Sequence, residues 1–223
     1  MTLIFANAGP PTGVVDNVES LMRNPLAEVP PSEAPSLAVA VHRREHGAFD
    51  SFVREWERPL FEYASRLLQN SFDAQEVVQD AFMRAHRALT RQYDEHRCRQ
   101  LAVRPWLFRI ARNLSLNRRR GVWSKIEQPM SAFDDDRIGA FSDGSDASTG
   151  LEQAQEADRL DRALARLPGE ARELVLLRFI EEMSYAEIAK TTGLSETQLR
   201  GRVFRSLKLL RAALAKEGAP HAL

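Results

Sequence analysis

The chain has one cysteine, Cys98, in 223 residues, so no internal disulfide can form and a reducing cytoplasmic setting is expected. Cys98 lies in a polar, arginine-rich stretch; an ordinary thiol is the plain reading there and a redox sensor the sharper one. No apolar run approaches the length of a membrane span, so no direct membrane insertion is expected. The N-terminus lacks a positive region followed by an apolar core, which argues against a secretory signal. Catalytic signatures are also missing. The sequence has no glycine-rich phosphate loop, no paired cysteine motif and no His-Glu helix motif of the metalloprotease kind. His42 and His46 are spaced for one helix face, but no third ligand stands clearly beside them, so no metal is expected. The chain reads as a protein without a cofactor, and not as an enzyme. Net charge is absent too: 31 Lys and Arg balance 31 Asp and Glu. A simple nucleic-acid binder is expected to be basic overall, so the total counts weakly against one. Totals hide patterning, however, and these charges are segregated along the chain.

Residues 1–45 carry scattered proline and glycine, as in Gly9-Pro10-Pro11 and Pro30-Pro31, without sustained periodicity; they are expected to be a disordered extension. The pattern changes at Ala48. Phe49, Phe52, Val53, Trp56, Leu60, Ala64, Leu67 and Leu68 recur at three- and four-residue steps, which predicts an amphipathic helix. Pro59 should kink or split it. A second helix is expected from Asp73, with Glu76 completing a capping-box-like start and Val77, Val78, Ala81, Phe82, Ala85 and Leu89 as its buried stripe. Thr90 to Arg104 is polar and basic and reads as a long loop. Pro105 suits the first turn of a third helix, with Leu107, Ile110, Ala111 and Leu114 on its apolar face. Residues 46–120 thus form a first domain. Residues 121–150, rich in Asp, Ser and Gly (Asp134 to Asp136, Asp143, Gly144, Asp146), predict an extended, mobile acidic linker. A second domain spans 151–217, followed by a tail over 218–223. Its helices are striped by Leu160, Ala163, Leu164 and Leu167, then by Leu174, Leu177 and Phe179. Ser184 with Glu187 opens a short helix, Gly193 supplies a turn, and Ser195 caps the next helix, with Leu199, Val203, Leu207 and Leu210 inside. No strand alternation is convincing, so the fold class is all-α: two small helical domains joined by a linker.

Two basic surfaces stand out. Ser184 to Lys208 has the makings of a helix-turn-helix: two short helices, a glycine turn, and a second helix that is basic outside. Gln198, Arg200, Arg202, Arg205 and Lys208 lie on that outer side. Arginine can meet phosphates or guanine edges and Gln can pair with adenine. Gln198 also stands three residues after Ser195, so a capping box explains it equally well. The other surface is the third helix of the first domain, where Trp106, Phe108, Arg109, Arg112, Asn113, Asn117 and Arg118 to Arg120 mix aromatic, amide and cationic groups. Such mixtures suit single-stranded DNA, where bases stack on rings and cations hold phosphates. A Trp packed into the core and an arginine run favoured by the helix dipole are the plainer readings.

The order of these pieces carries more weight than any one of them. The segment Asp73-Ala-Gln-Glu-Val-Val-Gln-Asp-Ala-Phe-Met-Arg-Ala85 resembles the core-polymerase-binding helix of bacterial sigma region two. Trp106-Leu-Phe-Arg-Ile-Ala-Arg-Asn-Leu-Ser-Leu-Asn-Arg118 resembles the family's promoter-melting, minus-ten-reading helix. Leu167-Pro through Leu177-Arg-Phe, Met183-Ser-Tyr-Ala-Glu-Ile-Ala189 and Leu199-Arg-Gly-Arg-Val-Phe-Arg205 resemble region four, which reads the minus-thirty-five element. The resemblance covers about Ala48 to Arg120 and Leu160 to Ala215. It points to an alternative sigma factor of the extracytoplasmic-function class, in which regions one and three are missing.

The resemblance implies roles. Asp73, Glu76, Gln79 and Asp80 would face the clamp helices of the largest subunit of the RNA polymerase core. Gln75 stands where the motif usually has an acidic residue. Asn113 would help recognise an extruded minus-ten base, with Trp106, Arg109, Arg112 and Asn117 nearby and Tyr93 as the aromatic of the preceding loop. Gln198, Arg200, Arg202, Arg205 and Lys208 would meet the minus-thirty-five promoter DNA. The acidic linker would thread through the polymerase, and an anti-sigma factor is expected by analogy. The implied function is promoter-specific transcription initiation, with catalysis in the core enzyme. Two rivals from other classes are a stand-alone helix-turn-helix regulator and a module that sequesters another sigma factor. The clamp-like motif argues against the first and the two basic surfaces against the second.

Overall fold

The computed structural model describes residues 37–125 and 149–217. The extension over 1–36, the acidic centre of the linker over 126–148 and the tail over 218–223 lie outside the described residues. Among those described, every regular element is helical: α1 (Leu37–His42), α2 (Ala48–Leu68), α3 (Ser71–Arg87), α4 (Glu95–Arg99), α5 (Val103–Lys125), α6 (Thr149–Ala165), α7 (Gly169–Val175), α8 (Tyr185–Thr192) and α9 (Glu196–Glu217). Two π-helical turns, Ala88–Gln92 and Leu176–Ile180, follow α3 and α7. The all-α expectation is met. The described residues fall into two compact units: residues 37–125 with Ala186–Leu194, and residues 149–185 with 195–217.

In the first unit α3 packs against both α2 and α5, and α2 also meets α5. Most of each stripe read from the sequence is buried: Phe52, Leu60, Ala64 and Leu67 from α2, Val77, Val78, Ala81 and Phe82 from α3, Leu107, Ala111 and Leu114 from α5, whereas Phe49, Trp56, Leu68 and Ile110 are half-buried. Aromatic edges join them, with Phe52 against Phe82 at 6.3 Å and Tyr63 against Phe108 at 5.3 Å between ring centroids. Pro59 lies inside α2 without ending it. Apolar residues are buried on both sides of it, and that burial outweighs one missing backbone donor. The helix closes at Gln69, which adopts a left-handed φ of 58° and donates its backbone N–H to Ser65 O at 2.8 Å.

Three local expectations change. The cap of α3 is Asn70, whose side chain accepts from Asp73 N at 3.0 Å; the carboxylates of Asp73 and Glu76 serve elsewhere. Residues 37–45, expected to belong to the unpatterned extension, include α1, which buries Ala38 and Val41 and whose His42 Nδ1 lies 2.9 Å from Leu89 O. Thr90 to Arg104, expected as loop, contains α4, capped by Asp94 accepting from Arg97 N at 2.7 Å. A capped five-residue helix has too short a stripe to show in periodicity. Cys98 is fully buried there; burial, with the Asp94 and Glu95 carboxylates, pushes its thiol up, away from the thiolate that a redox sensor needs.

In the second unit α9 packs against α7 and α6. Arg172 of α7 donates to the carbonyls of Leu164 at 2.9 Å and Ala165 at 2.7 Å, capping the end of α6. Arg162 of α6 and Arg166, just past its end, pair with Glu217 at 3.0 and 2.7 Å, holding the far end of α9.

Two predictions follow from this packing. Phe108→Ala should cost about 3–5 kcal/mol in urea unfolding, the range for emptying a buried aromatic site. Arg43 grips Glu95 with two hydrogen bonds, at 2.7 and 3.2 Å, and these hold the Glu95 carboxyl below the ordinary carboxylate range. A depressed folded-state pKa stabilises above the unfolded value, and the contribution is lost as pH falls through the folded one. Acidification through the carboxylate range should therefore loosen α1. Methyl NMR signals of Ala38 and Val41 would report it, and Glu95→Gln should remove the dependence.

Candidate nucleic-acid and polymerase interface

Burying Val77, Val78, Ala81 and Phe82 turns the opposite side of α3 outward. Phe72, Glu76, Gln79 and Met83 recur there at steps of four, three and four, one helix face, with Asp73 and Asp80 beside it. Gln79 and Asp80 are exposed, and Phe72 and Met83 are exposed apolar side chains at 66% and 59%. The surface thus carries an acidic and amide centre between two apolar ends. Asp73 and Glu76 do not project freely into it. Arg118 of α5 donates from Nε to Asp73 Oδ1 at 2.7 Å and from Nη2 to Glu76 Oε2. Sequence reasoning placed Arg118 in a cationic run and missed this bridge. Nothing in the local sequence pairs positions 45 and 42 residues apart.

On α5, Trp106, Arg109, Asn113 and Asn117 recur at steps of three, four and four and share one face. Arg109, Asn113 and Asn117 are exposed, Trp106 is half-buried, and Arg112 lies about a quarter-turn or more off that line. Phe108, read with this aromatic and cationic mix, is instead fully buried against Tyr63. Tyr93 joins Trp106. The π-helical turn Ala88–Gln92 closes with Tyr93 N donating to Ala88 O at 2.9 Å and hands Tyr93 on in extended backbone. Trp106 Nε1 donates to the Tyr93 hydroxyl at 3.2 Å, and the rings lie 6.0 Å apart. Arg97 of α4 sits over the Tyr93 ring with its guanidinium carbon 3.8 Å from the centroid. Arg97 was not foreseen, because a structureless reading of 90–104 gave no reason to bring it to Tyr93.

The helix pair α8 and α9 is joined through Gly193, whose φ of 78° is the left-handed conformation that favours glycine. Gly193 N donates to Ala189 O at 2.8 Å, closing α8. Ser195 and Gln198 form a reciprocal capping box: Ser195 N donates to Gln198 Oε1 at 3.1 Å and Gln198 N to Ser195 Oγ at 3.4 Å. Gln198, open between cap and base contact in the sequence, is a cap here. Arg200 stacks over the Tyr185 ring at 4.7 Å, and Arg202 pairs with Glu170 of α7. Arg205 is exposed. Lys208 is exposed with its ammonium 4.8 Å from the Phe204 centroid, and Phe204 and Leu209 are exposed apolar neighbours. Gly201 has only Arg205 near the place of a missing Cβ, at 3.7 Å, so a side chain there would meet no backbone.

No helix among the described residues is long and apolar enough to cross a membrane. If the Ser195–Gln198 box is a stabilising cap and little else, Gln198→Ala should cost about 1 kcal/mol or less in thermal unfolding, and Ser195→Ala about 1 kcal/mol.

Comparison with known proteins identifies the family. Residues 52–125 match Sigma-70 region 2, and residues 157–210 match Sigma-70, region 4. The chain is 33% identical over 174 residues to the ECF RNA polymerase sigma factor SigE of Mycolicibacterium smegmatis, covering 77% of this chain and 63% of that protein. It is 31% identical over 170 residues to the ECF RNA polymerase sigma factor SigM of Mycobacterium tuberculosis, covering 76% of each. Among solved structures, CnrH in complex with the cytosolic domain of CnrY is 27% identical, with a TM-score of 0.56 over 81% of this chain and 96% of that one. The sigma factor RpoE of Bartonella quintana, solved with the anti-sigma factor NepR, is 21% identical with a TM-score of 0.51 over 76% of this chain and 98% of that one, a likeness of fold. The chain belongs to the extracytoplasmic-function class of RNA polymerase sigma factors, promoter-specificity subunits and not enzymes.

Proposed function

We propose that this chain acts in the cytoplasm by joining core polymerase through α3 and reading promoter DNA through α5 and α9. The observation that carries the reading is the shared face of Trp106, Arg109, Asn113 and Asn117 on α5, with Tyr93 held against Trp106. Polar residues on a solvent face are ordinary in themselves; what sets this face apart is that they lie in line with a half-buried indole held against Tyr93, which Arg97 covers. Such a face suits an unpaired base: the amide of Asn113 offers donor and acceptor to a base edge, the rings offer a stacking surface, and Arg109 offers a phosphate contact. Extruding a base costs a few kcal/mol, which these contacts would offset. Arg112, off the line, fits a phosphate better than a base.

On α3, exposed Gln79 and Asp80 with Asp73 and Glu76 give a polar, acidic surface that suits a cationic face of the clamp helices, and Phe72 and Met83 give it apolar anchors. On α9, Arg205 and Lys208 are the residues best placed for the minus-thirty-five duplex. Arg200 and Arg202 would have to leave Tyr185 and Glu170, or reach past them, and Gln198 would have to give up its cap. Two related structures contain a second protein, in one of them an anti-sigma factor. An anti-sigma factor is accordingly the regulator to expect.

Asn113→Ala should impair strand opening at a promoter more than closed-complex binding; permanganate reactivity and duplex footprints measured together check this. Equal loss at both stages counts against base recognition. Arg205→Ala should weaken minus-thirty-five binding and flatten its salt dependence by about 0.9 in the log–log slope, the amount for one duplex phosphate contact. An unchanged slope removes Arg205 from the phosphate contacts.

A further inference from the structure

Arg118 joins two helices that the functional reading assigns to different partners, from the side of α5 about a third of a turn away from the Trp106–Asn117 line. It belongs to α5, the proposed promoter-reading helix, and its guanidinium is spent on Asp73 and Glu76 of α3, the proposed polymerase-binding helix. The three side chains are one-quarter to two-fifths exposed, so the bridge lies at the surface, where a competing charge can reach it. Two carboxylates share one guanidinium, so the locus keeps a net negative charge that attracts a cation. Exposed ion pairs are also worth little individually, which makes this one exchangeable.

We propose that Arg118 is a latch. In the free protein it occupies Asp73 and Glu76. A cationic polymerase surface that takes those carboxylates releases Arg118, which then holds a phosphate of the melted promoter strand. The latch rests on the functional reading above and deepens it: it gives a physical route by which joining polymerase raises affinity for single-stranded DNA. The coupling is reciprocal, because whatever draws Arg118 onto a phosphate also frees the carboxylates for the clamp.

The latch is tested without polymerase by the binding of a short, mixed-sequence single strand to the full chain. Phosphate contacts carry no sequence information, so no promoter need be known. In wild type Arg118 is engaged. The Asp73→Asn, Glu76→Gln double variant should bind several-fold more tightly, with a log–log salt slope steeper by about 0.7, the amount for one single-strand phosphate contact. Adding Arg118→Gln should abolish both gains. Asp80→Asn removes a carboxylate of the same helix that Arg118 does not touch and reports the plain effect of charge. If the double variant, which removes two charges, gains no more than twice as much in log affinity as Asp80→Asn, or if the triple variant keeps the gain, the bridge is only a brace and the proposal falls. Because the double variant could lose its fold, Arg118→Gln is measured alone against core polymerase. The latch predicts tighter core binding at low salt and a flatter salt slope for the holoenzyme on a pre-melted template. Weaker core binding with an unchanged slope overturns it. Failure of the sigma reading itself would appear separately, as no protein-dependent initiation by wild type.

Discussion

The burial of one face of α3 between α2 and α5 is the constraint on which the first unit depends. Val77, Val78, Ala81 and Phe82 are removed from water, and removal of apolar surface is the dominant favourable term in folding. Once that face is fixed, the rest follows by helical geometry. Glu76, Gln79 and Met83 must turn outward, and Arg118 of α5 is brought within reach of Asp73 and Glu76. Likewise, fixing Leu107, Phe108 and Ala111 inside leaves Arg109, Asn113 and Asn117 outside. The two candidate faces are the complement of the core.

This explains why so much was legible in the sequence. A stripe of buried residues at helical spacing also defines the opposite stripe, so the polar set on α5 was legible from the pattern, whereas the set on α3 came from the family resemblance and its exposed Phe72 and Met83 were missed. Gly193 and the Ser195 cap announced the helix pair for the same kind of reason: a left-handed φ and an orphaned N–H each need a particular residue type. Pro59 does not split α2, because its effect on a helix is local whereas the burial on either side of it is spread over the whole of α2.

What stayed illegible is long-range or short-lived in sequence. The bridge from Arg118 to Asp73 and Glu76, and the meeting of Tyr93, Arg97 and Trp106, depend on how separate elements are brought together. The five-residue α4 and six-residue α1 are too brief to show a period. On α9, the type of each cation was readable but its engagement was not: Arg200 and Arg202 have partners within the unit, while Arg205 faces solvent. Identical charges on one helix are therefore unequal in what they must give up to meet DNA, and that inequality is a desolvation and competition term absent from the sequence.

The central claim is that this chain supplies promoter specificity to a polymerase that cannot initiate accurately without it. The most direct measurement is multi-round transcription from a genomic DNA pool by core polymerase of the source bacterium, with and without the chain. New discrete start sites that require the chain are the predicted result, and their upstream sequences would define its promoter. A core enzyme that gains no initiation, while the chain alone footprints duplex DNA, would contradict the account and favour a stand-alone regulator.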